Sequence, residues 1–206
     1  MTKLYYIHDP MCSWCWAFRP AWTVIQHALP DTLDVQYLLG GLAPDSDSSM
    51  PAETQAMIRR HWQTIEKRVP GTCFNYDFWT TCQPRRSTYP ACRAVIAARL
   101  QQPDLEGAMI AFIQQAYYLQ ARNPSDDDLL IDLAGKLNLD RKRFRHDLNS
   151  PECMAILMRE ITQSRQIGAH GFPSLIMAQG DHFQPILIDY NHADVIILHI
   201  LEASRH

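Results

Sequence analysis

No stretch of about 18 or more consecutive apolar residues occurs in the chain, so no segment is suited to cross a bilayer as a helix. A basic surplus is missing too. Lys and Arg number 19 against 22 Asp and Glu, a formal charge of -3, which argues against a general binder of nucleic acid or of an anionic membrane. The densest basic run, DRKRFRHD at residues 140–147, is closed by acids at both ends and reads as a solvated helix face carrying Phe144 and Leu148 four apart. Internal repeats and low-complexity linkers are absent. The opening MTKLYYIHDP has no basic-then-apolar leader with a small-residue cleavage site, so no export is expected and the cytoplasm is the expected location. Paired metal motifs are lacking as well: one Cys-x-x-Cys is present, where zinc usually takes about four ligands from two such pairs.

What is there is a chain of 206 residues, 47% hydrophobic and 20% charged, able to bury a core as one elaborated domain or two small ones. Its six cysteines, without a leader, suit a reducing compartment better than a disulfide scaffold. Residues 3–8, KLYYIH, predict a strand, Trp22, Ile25 and Leu29 mark a helix that Pro20 should kink, and DVQYLLG at 34–40 predicts a second strand closed by Gly40-Gly41. Strand, helix, strand is the minimal parallel unit.

From about Pro44 to Asn149 the period becomes helical. Ile58, Trp62, Ile65 and Val69 mark one helix, with Pro51 in its first turn; Leu105, Met109, Phe112, Ala116 and Leu119 mark another. Between them Pro90 opens a helical run, and in NPSDDDLL Ser125 is the expected N-cap with Asp128 three residues on, so the triple aspartate needs no metal to explain it. Ser150-Pro151 opens a further helix ending near Gly168. SLIMA (174–178) and PILIDY (185–190) then read as strands joined around Gly180-Asp181, and a last helix runs from about Asn191 to Ala203.

Chemistry concentrates in DPMCSWCWAFRPAW, residues 9–22. Two thiols three positions apart admit three readings: a reactive dithiol, half of a metal site, or two cysteines that pack. Cys12 falls at the turn from strand to helix, where unpaired amides and the helix dipole favour a thiolate; Cys15, one turn later, is placed to attack a disulfide formed on Cys12. Ser13 can offer a hydroxyl, and Trp14 and Trp16 can form an apolar rim, whereas Phe18 and Trp22 read as core. Cys92 and Cys153 also read as core. Cys73 and Cys82, in TCFNYDFWTTC, are open to a second redox pair or, if that loop folds over the dithiol, to a shared zinc site. Far downstream, Gly171-Phe172-Pro173 ahead of a strand invites a cis peptide bond.

The Cys-x-x-Cys at a strand-to-helix turn, the Gly-x-Pro before a strand, and helix, strand, strand, helix around it together resemble the thioredoxin superfamily. The resemblance is to its DsbA-like branch, and DPMCSWCW with GFPSL is similar to the leaderless, FrnE-like group of predicted protein-disulfide isomerases. It implies an α/β thioredoxin-like fold with a central mixed sheet, residues 1–43 and 150–206 forming that domain and 44–149 an all-helical insertion. It implies Cys12 as nucleophile, Cys15 as resolving thiol and Pro173 as the cis-proline. Phe172 would pair with a bound peptide strand, and Gly171 would let its loop approach. The implied activity is a thiol-disulfide oxidoreductase or isomerase acting on protein, peptide or small-molecule disulfides, with no metal cofactor and with glutathione or a thioredoxin system as reductant. Two departures matter: Ser-Trp replaces the Pro-His of secreted DsbA oxidases, and Tyr6 stands where the family has a buried acid, leaving His8 or Asp9 as nearby proton carriers. The rival readings are a glutathione-dependent isomerase or transferase of the kappa or hydroxychromene-carboxylate type, in which a serine or lone residue usually stands at the Cys12 position, and a binding module with incidental cysteines.

Overall fold

The computed structural model describes residues 2–204. Strand β1 (Thr2–His8), helix α1 (Ser13–Ala28) and strand β2 (Asp34–Leu39) come first. Helices α2 (Ala52–Arg68), α3 (Phe78–Thr81), α4 (Tyr89–Gln101), α5 (Glu106–Tyr118), α6 (Asp127–Lys136) and α7 (Arg141–Leu148) follow. Helix α8 (Pro151–Gln166) leads to strands β3 (Ser174–Gln179) and β4 (His182–Ile186) and to helix α9 (Ala193–Ala203). The fold is thioredoxin-like: one mixed sheet ordered β2-β1-β3-β4, with β1 parallel to β2 and antiparallel to β3. Two compact units divide the chain, Met1–Gly40 with Glu160–His206, and Gly41–Arg159; the division falls inside α8.

The sheet unit follows from the alternation in KLYYIH. Leu4 and Tyr6 face one side with Leu175 and Met177, against Phe18, Trp22 and Ile25 of α1 and Ile196 and Ile200 of α9. Tyr5 and Ile7 face the other with Leu38 and Ile176, against Ile167 and Ala169 at the end of α8. Being covered on both faces, β1 carries an unbroken apolar run from Leu4 to Ile7. Each large side chain so buried contributes roughly 1.5–3 kcal/mol. Pro20 lies exposed within α1, which continues to Ala28.

Two expectations need correction. The fourth strand is HFQPI and not PILIDY: the Asp189 carboxylate accepts the amides of Asn191 and His192 at 2.8 and 2.9 Å, which turns residues 187–190 away from the ladder and toward α9. Pro185 sits within β4, where the edge position leaves no outer partner for a donor to serve. The N-cap of α6 is Asp126 and not Ser125, whose hydroxyl is committed to the Ser87 carbonyl at 2.7 Å. The short α3 and a 3-10 turn over Pro103–Leu105 have no counterpart in the sequence reading.

The helical unit has its own core. Trp62 of α2 is fully buried, its ring 4.7 Å from Phe74 and 5.0 Å from Trp79. Phe144 and Leu148 are buried on α7, whose Asp140 cap accepts the amides of Lys142 and Arg143. A polar cleft in this unit holds Arg85, Arg93 and Arg122, each already paired to an aspartate: Asp126, Asp45 and Asp132 respectively.

Candidate functional site

Cys12 is the N-cap of α1. Its amide donates to the Asp9 carbonyl at 3.0 Å, and its own carbonyl accepts the Trp16 amide at 3.1 Å, which locks the turn between β1 and the helix. The Asp9 carboxylate accepts the Met11 amide at 2.8 Å from the same turn. No side chain caps α1 and no acid stands in its first turn, so the positive end of the helix is left to the sulfur at its head.

The loop before β3 closes on that sulfur. The Cys12 thiol donates to the Phe172 carbonyl at 3.5 Å, a contact between residues 160 positions apart, and the Phe172–Pro173 bond is cis. Pro173 is buried, Phe172 half-buried and Gly171 exposed. A side-chain atom at Gly171 would meet nothing within 4 Å, so this glycine is not where the loop needs room. Gly40 is: a Cβ there would lie 1.8 Å from Cε1 of Phe172.

Both Cys12 and Cys15 are free thiols; Cys12 is 7% exposed and Cys15 fully buried. Burial pushes the Cys15 thiol well above the ordinary 9.0. Its hydrogen bond to the Cys12 sulfur and the charge there push the same way, the Asp9 backbone acts against them, and the Asp9 carboxylate adds to the rise. Tyr6, beneath the pair, is held well above 10.0 by burial first and then by Cys15, Tyr37, Cys12 and Tyr190. It therefore stays a neutral phenol where an acid would carry charge. Its ring stacks on His8 at 5.2 Å and leans on Trp22 at 4.5 Å. His8 and Asp9 are both buried.

These shifts set an alkaline limit on stability. Below about pH 9 the Cys15 thiol is neutral in folded and unfolded chain alike; above it the unfolded chain releases a proton that the fold retains. Unfolding free energy should therefore fall as pH rises past 9, by about 1.4 kcal/mol per pH unit for each such group. Denaturant titrations of the reduced protein at intervals from pH 8 to 10.5 measure the slope, and Cys15→Ser should make it shallower. An identical slope in that variant would show that the buried thiol is not its source.

Trp14 and Trp16 are half-buried on the first turns of α1, as is Ser13. The Trp14 ring lies 5.0 Å from Tyr190, and the Arg19 guanidinium lies 5.7 Å from the Trp16 ring centre. Phe18 and Trp22 are core, as are Cys92 and Cys153. Cys73 is exposed and bonds the Gly71 carbonyl, while Cys82 donates to the Ala121 carbonyl at 3.0 Å. Among the described residues no group of three or more His, Cys, Asp or Glu is placed to hold a metal ion.

A family model described as thioredoxin matches residues 5–191. The chain belongs to the thioredoxin family. Its fold, with helices set between β2 and β3, is shared with a protein from Streptomyces coelicolor described as a DsbA oxidoreductase, 18% identical with a TM-score of 0.78 over 100% of this chain and 91% of that one. A protein from Nitrosomonas europaea described as a candidate protein disulfide isomerase is 27% identical with a TM-score of 0.85, over 100% of this chain and 99% of that one. The cytosolic disulfide reductase DsbM from Pseudomonas aeruginosa, solved with GSH, is 24% identical with a TM-score of 0.77, over 99% of this chain and 100% of that one. The ClpXP adapter protein SpxH of Halalkalibacterium halodurans is 23% identical over 178 residues, 84% of this chain and 58% of that protein. The chain thus spans less than two thirds of the length of the curated relatives it matches. No helix among the described residues is long and apolar enough to cross a membrane.

Two members of this thioredoxin-family site lie outside the sequence reading. Tyr190, placed there at a strand end, instead sits in the loop before α9, with its ring 5.8 Å from Phe18 and its phenol pushed upward by burial and then by Cys12 and Cys15. Tyr37 of β2 accepts from Trp22 Nε1 at 2.8 Å and from Gln26 at 2.7 Å, tying α1 to the edge strand. An aromatic residue in a strand or loop carries no mark of which helix it will meet, so neither had a signal of its own.

Proposed function

We propose that this chain is a thiol-disulfide oxidoreductase working in the reducing direction on protein, peptide or small-molecule disulfides. One observation carries the reading: a free Cys12 at the head of α1, 3.5 Å from the Phe172 carbonyl, with the fully buried Cys15 thiol bonded behind it. The Cys12 thiolate attacks one sulfur of the substrate disulfide, forms the Cys12–substrate bond and expels the other sulfur as a thiolate that takes up a proton. Cys15 then gives up its proton and attacks Cys12 Sγ; the Cys12–Cys15 bond forms and the second substrate thiol leaves. The substrate gains two electrons and two protons, and the protein is left as a disulfide. Two molecules of a small thiol such as glutathione restore the dithiol and leave as their own disulfide, in keeping with the GSH-bound form of DsbM. A thioredoxin-system reductant would serve the same step.

Placement supports the remaining roles. Ser13 and Trp14 line the approach to Cys12 from α1, and Gly171, Phe172 and Pro173 frame the opposite side, where the main chain of an extended substrate would lie. With Ser-Trp between the cysteines and a neutral Tyr6 below them, no cationic side chain within the motif adds to the helix dipole, which favours reduction or isomerisation over strong oxidation. This suits the cytoplasm and a place beside the FrnE-like disulfide isomerases.

Insulin reduction with glutathione as electron source is the test. Catalytic precipitation of the B chain, dependent on the dithiol, is expected. Glutathione-dependent turnover of a small electrophile with no insulin reduction would favour the kappa-like alternative. Aggregation suppression that survives Cys12→Ser, without reduction, would favour a binding module.

A further inference from the structure

We infer that Gly40 is a positioning residue of the dithiol site: its missing side chain is the seat of the Phe172 ring, and that seat holds the loop carbonyl facing Cys12. The inference rests on the reading of Cys12 as the reacting thiol. Gly40 is the first residue after β2 and is buried. Its φ is not positive, so the backbone does not demand glycine there. Space does. A Cβ at Gly40 would come within 1.8, 2.2 and 2.7 Å of Cε1, Cζ and Cδ1 of Phe172.

Neither side of this contact has an easy retreat. The Gly40 amide donates to the His8 carbonyl at 2.7 Å, and the preceding Leu39 amide donates to the buried Glu160 carboxylate at 2.9 Å, so the end of β2 is pinned from two directions. The Phe172 ring packs on the cluster of Tyr5, Ile7, Leu38 and Ile176, and swinging it outward would expose the apolar surface it covers. The ring and the carbonyl that meets Cys12 belong to the same residue. Displacing the ring therefore moves the loop at the one point where it touches the reacting sulfur. Gly171 has open space around its Cα, so the glycine of the Gly-x-Pro motif does not perform this task.

A double-mutant cycle tests the inference, using Gly40→Ala, Phe172→Ala and the pair. Two quantities are read for each: kcat/KM for insulin reduction, and the iodoacetamide rate at Cys12 followed by peptide mass spectrometry. Gly40→Ala should lower kcat/KM on the order of tenfold, since misplacement by about 1 Å near a reacting centre can cost as much as about a hundredfold. It should also raise the alkylation rate by uncovering Cys12. With Phe172 already alanine, adding Gly40→Ala should change neither. Equal effects of Gly40→Ala in both backgrounds, or none in either, would overturn the inference. If the parent protein fails to reduce insulin, the proposed activity falls, while coupling in the alkylation rate still decides whether Gly40 positions the loop. If Gly40→Ala does not fold, recovery of folding on adding Phe172→Ala supports the seat, and failure to recover rejects it.

Discussion

Cys12→Ser should lower disulfide reduction by more than about a thousandfold, while Cys15→Ser should keep the first step and stall, accumulating mixed disulfides on Cys12. The asymmetry comes from placement. Cys12 stands at the uncapped head of α1 and retains 7% exposure, so a substrate sulfur can reach it in line. Cys15 is sealed, with burial favouring its protonated form, and gains access to a disulfide only when one forms on the neighbouring sulfur. A serine at position 12 removes the one sulfur of the dithiol that a substrate can reach. A serine at position 15 removes the internal attack, so release depends on a thiol from solution. Mass spectrometry of each variant after incubation with an insulin-derived disulfide gives the readout: an adduct on Cys12 in Cys15→Ser, and none on Cys15 in Cys12→Ser. Equal residual turnover in the two variants would contradict the assignment of nucleophile and resolving thiol.

The dithiol was legible because its signal is local: an apolar strand, a turn and a helix within residues 3–29 leave few places for Cys12 other than a helix head. The meeting of Cys12 with Phe172 was not, since it joins residues 160 apart and only the family resemblance pointed to it. The resemblance also directed attention to Gly171 as the glycine that gives room, whereas the contact that excludes a side chain is at Gly40. In the sequence Gly40-Gly41 marks the end of a strand, and nothing local says that an aromatic ring from the far end of the chain will lie against it. PILIDY misled for a related reason. Its apolar residues have strand character, but Asp189 competes for the amides of Asn191 and His192 and turns the backbone. Ser125 and Asp126 are both good caps by type; the choice fell to Asp126 because the Ser125 hydroxyl had a tertiary partner in Ser87.

Trp62→Ala should cost about 3–5 kcal/mol of unfolding free energy, and Trp62→Phe much less. Trp62 is fully buried, and its ring meets Phe74, Tyr76, Phe78, Trp79, Tyr117 and Tyr118, drawn from α3, α5 and the loop between α2 and α3. Alanine leaves a cavity among rigid rings that cannot collapse into it, which places the cost at the upper end for a core residue and at a large share of a typical total of about 5–15 kcal/mol. Phenylalanine keeps most of the ring and deletes Nε1, a buried donor without a hydrogen-bond partner among the described residues. Leaving such a donor unsatisfied costs about 1–3 kcal/mol, so its removal offsets much of the lost area. Denaturant unfolding followed by far-UV circular dichroism avoids the change in tryptophan emission and measures both variants on one scale. A cost below about 1 kcal/mol for the alanine variant would mean that this aromatic cluster is not the core of the helical unit. A phenylalanine variant as unstable as the alanine one would mean that the indole nitrogen has a partner in solution.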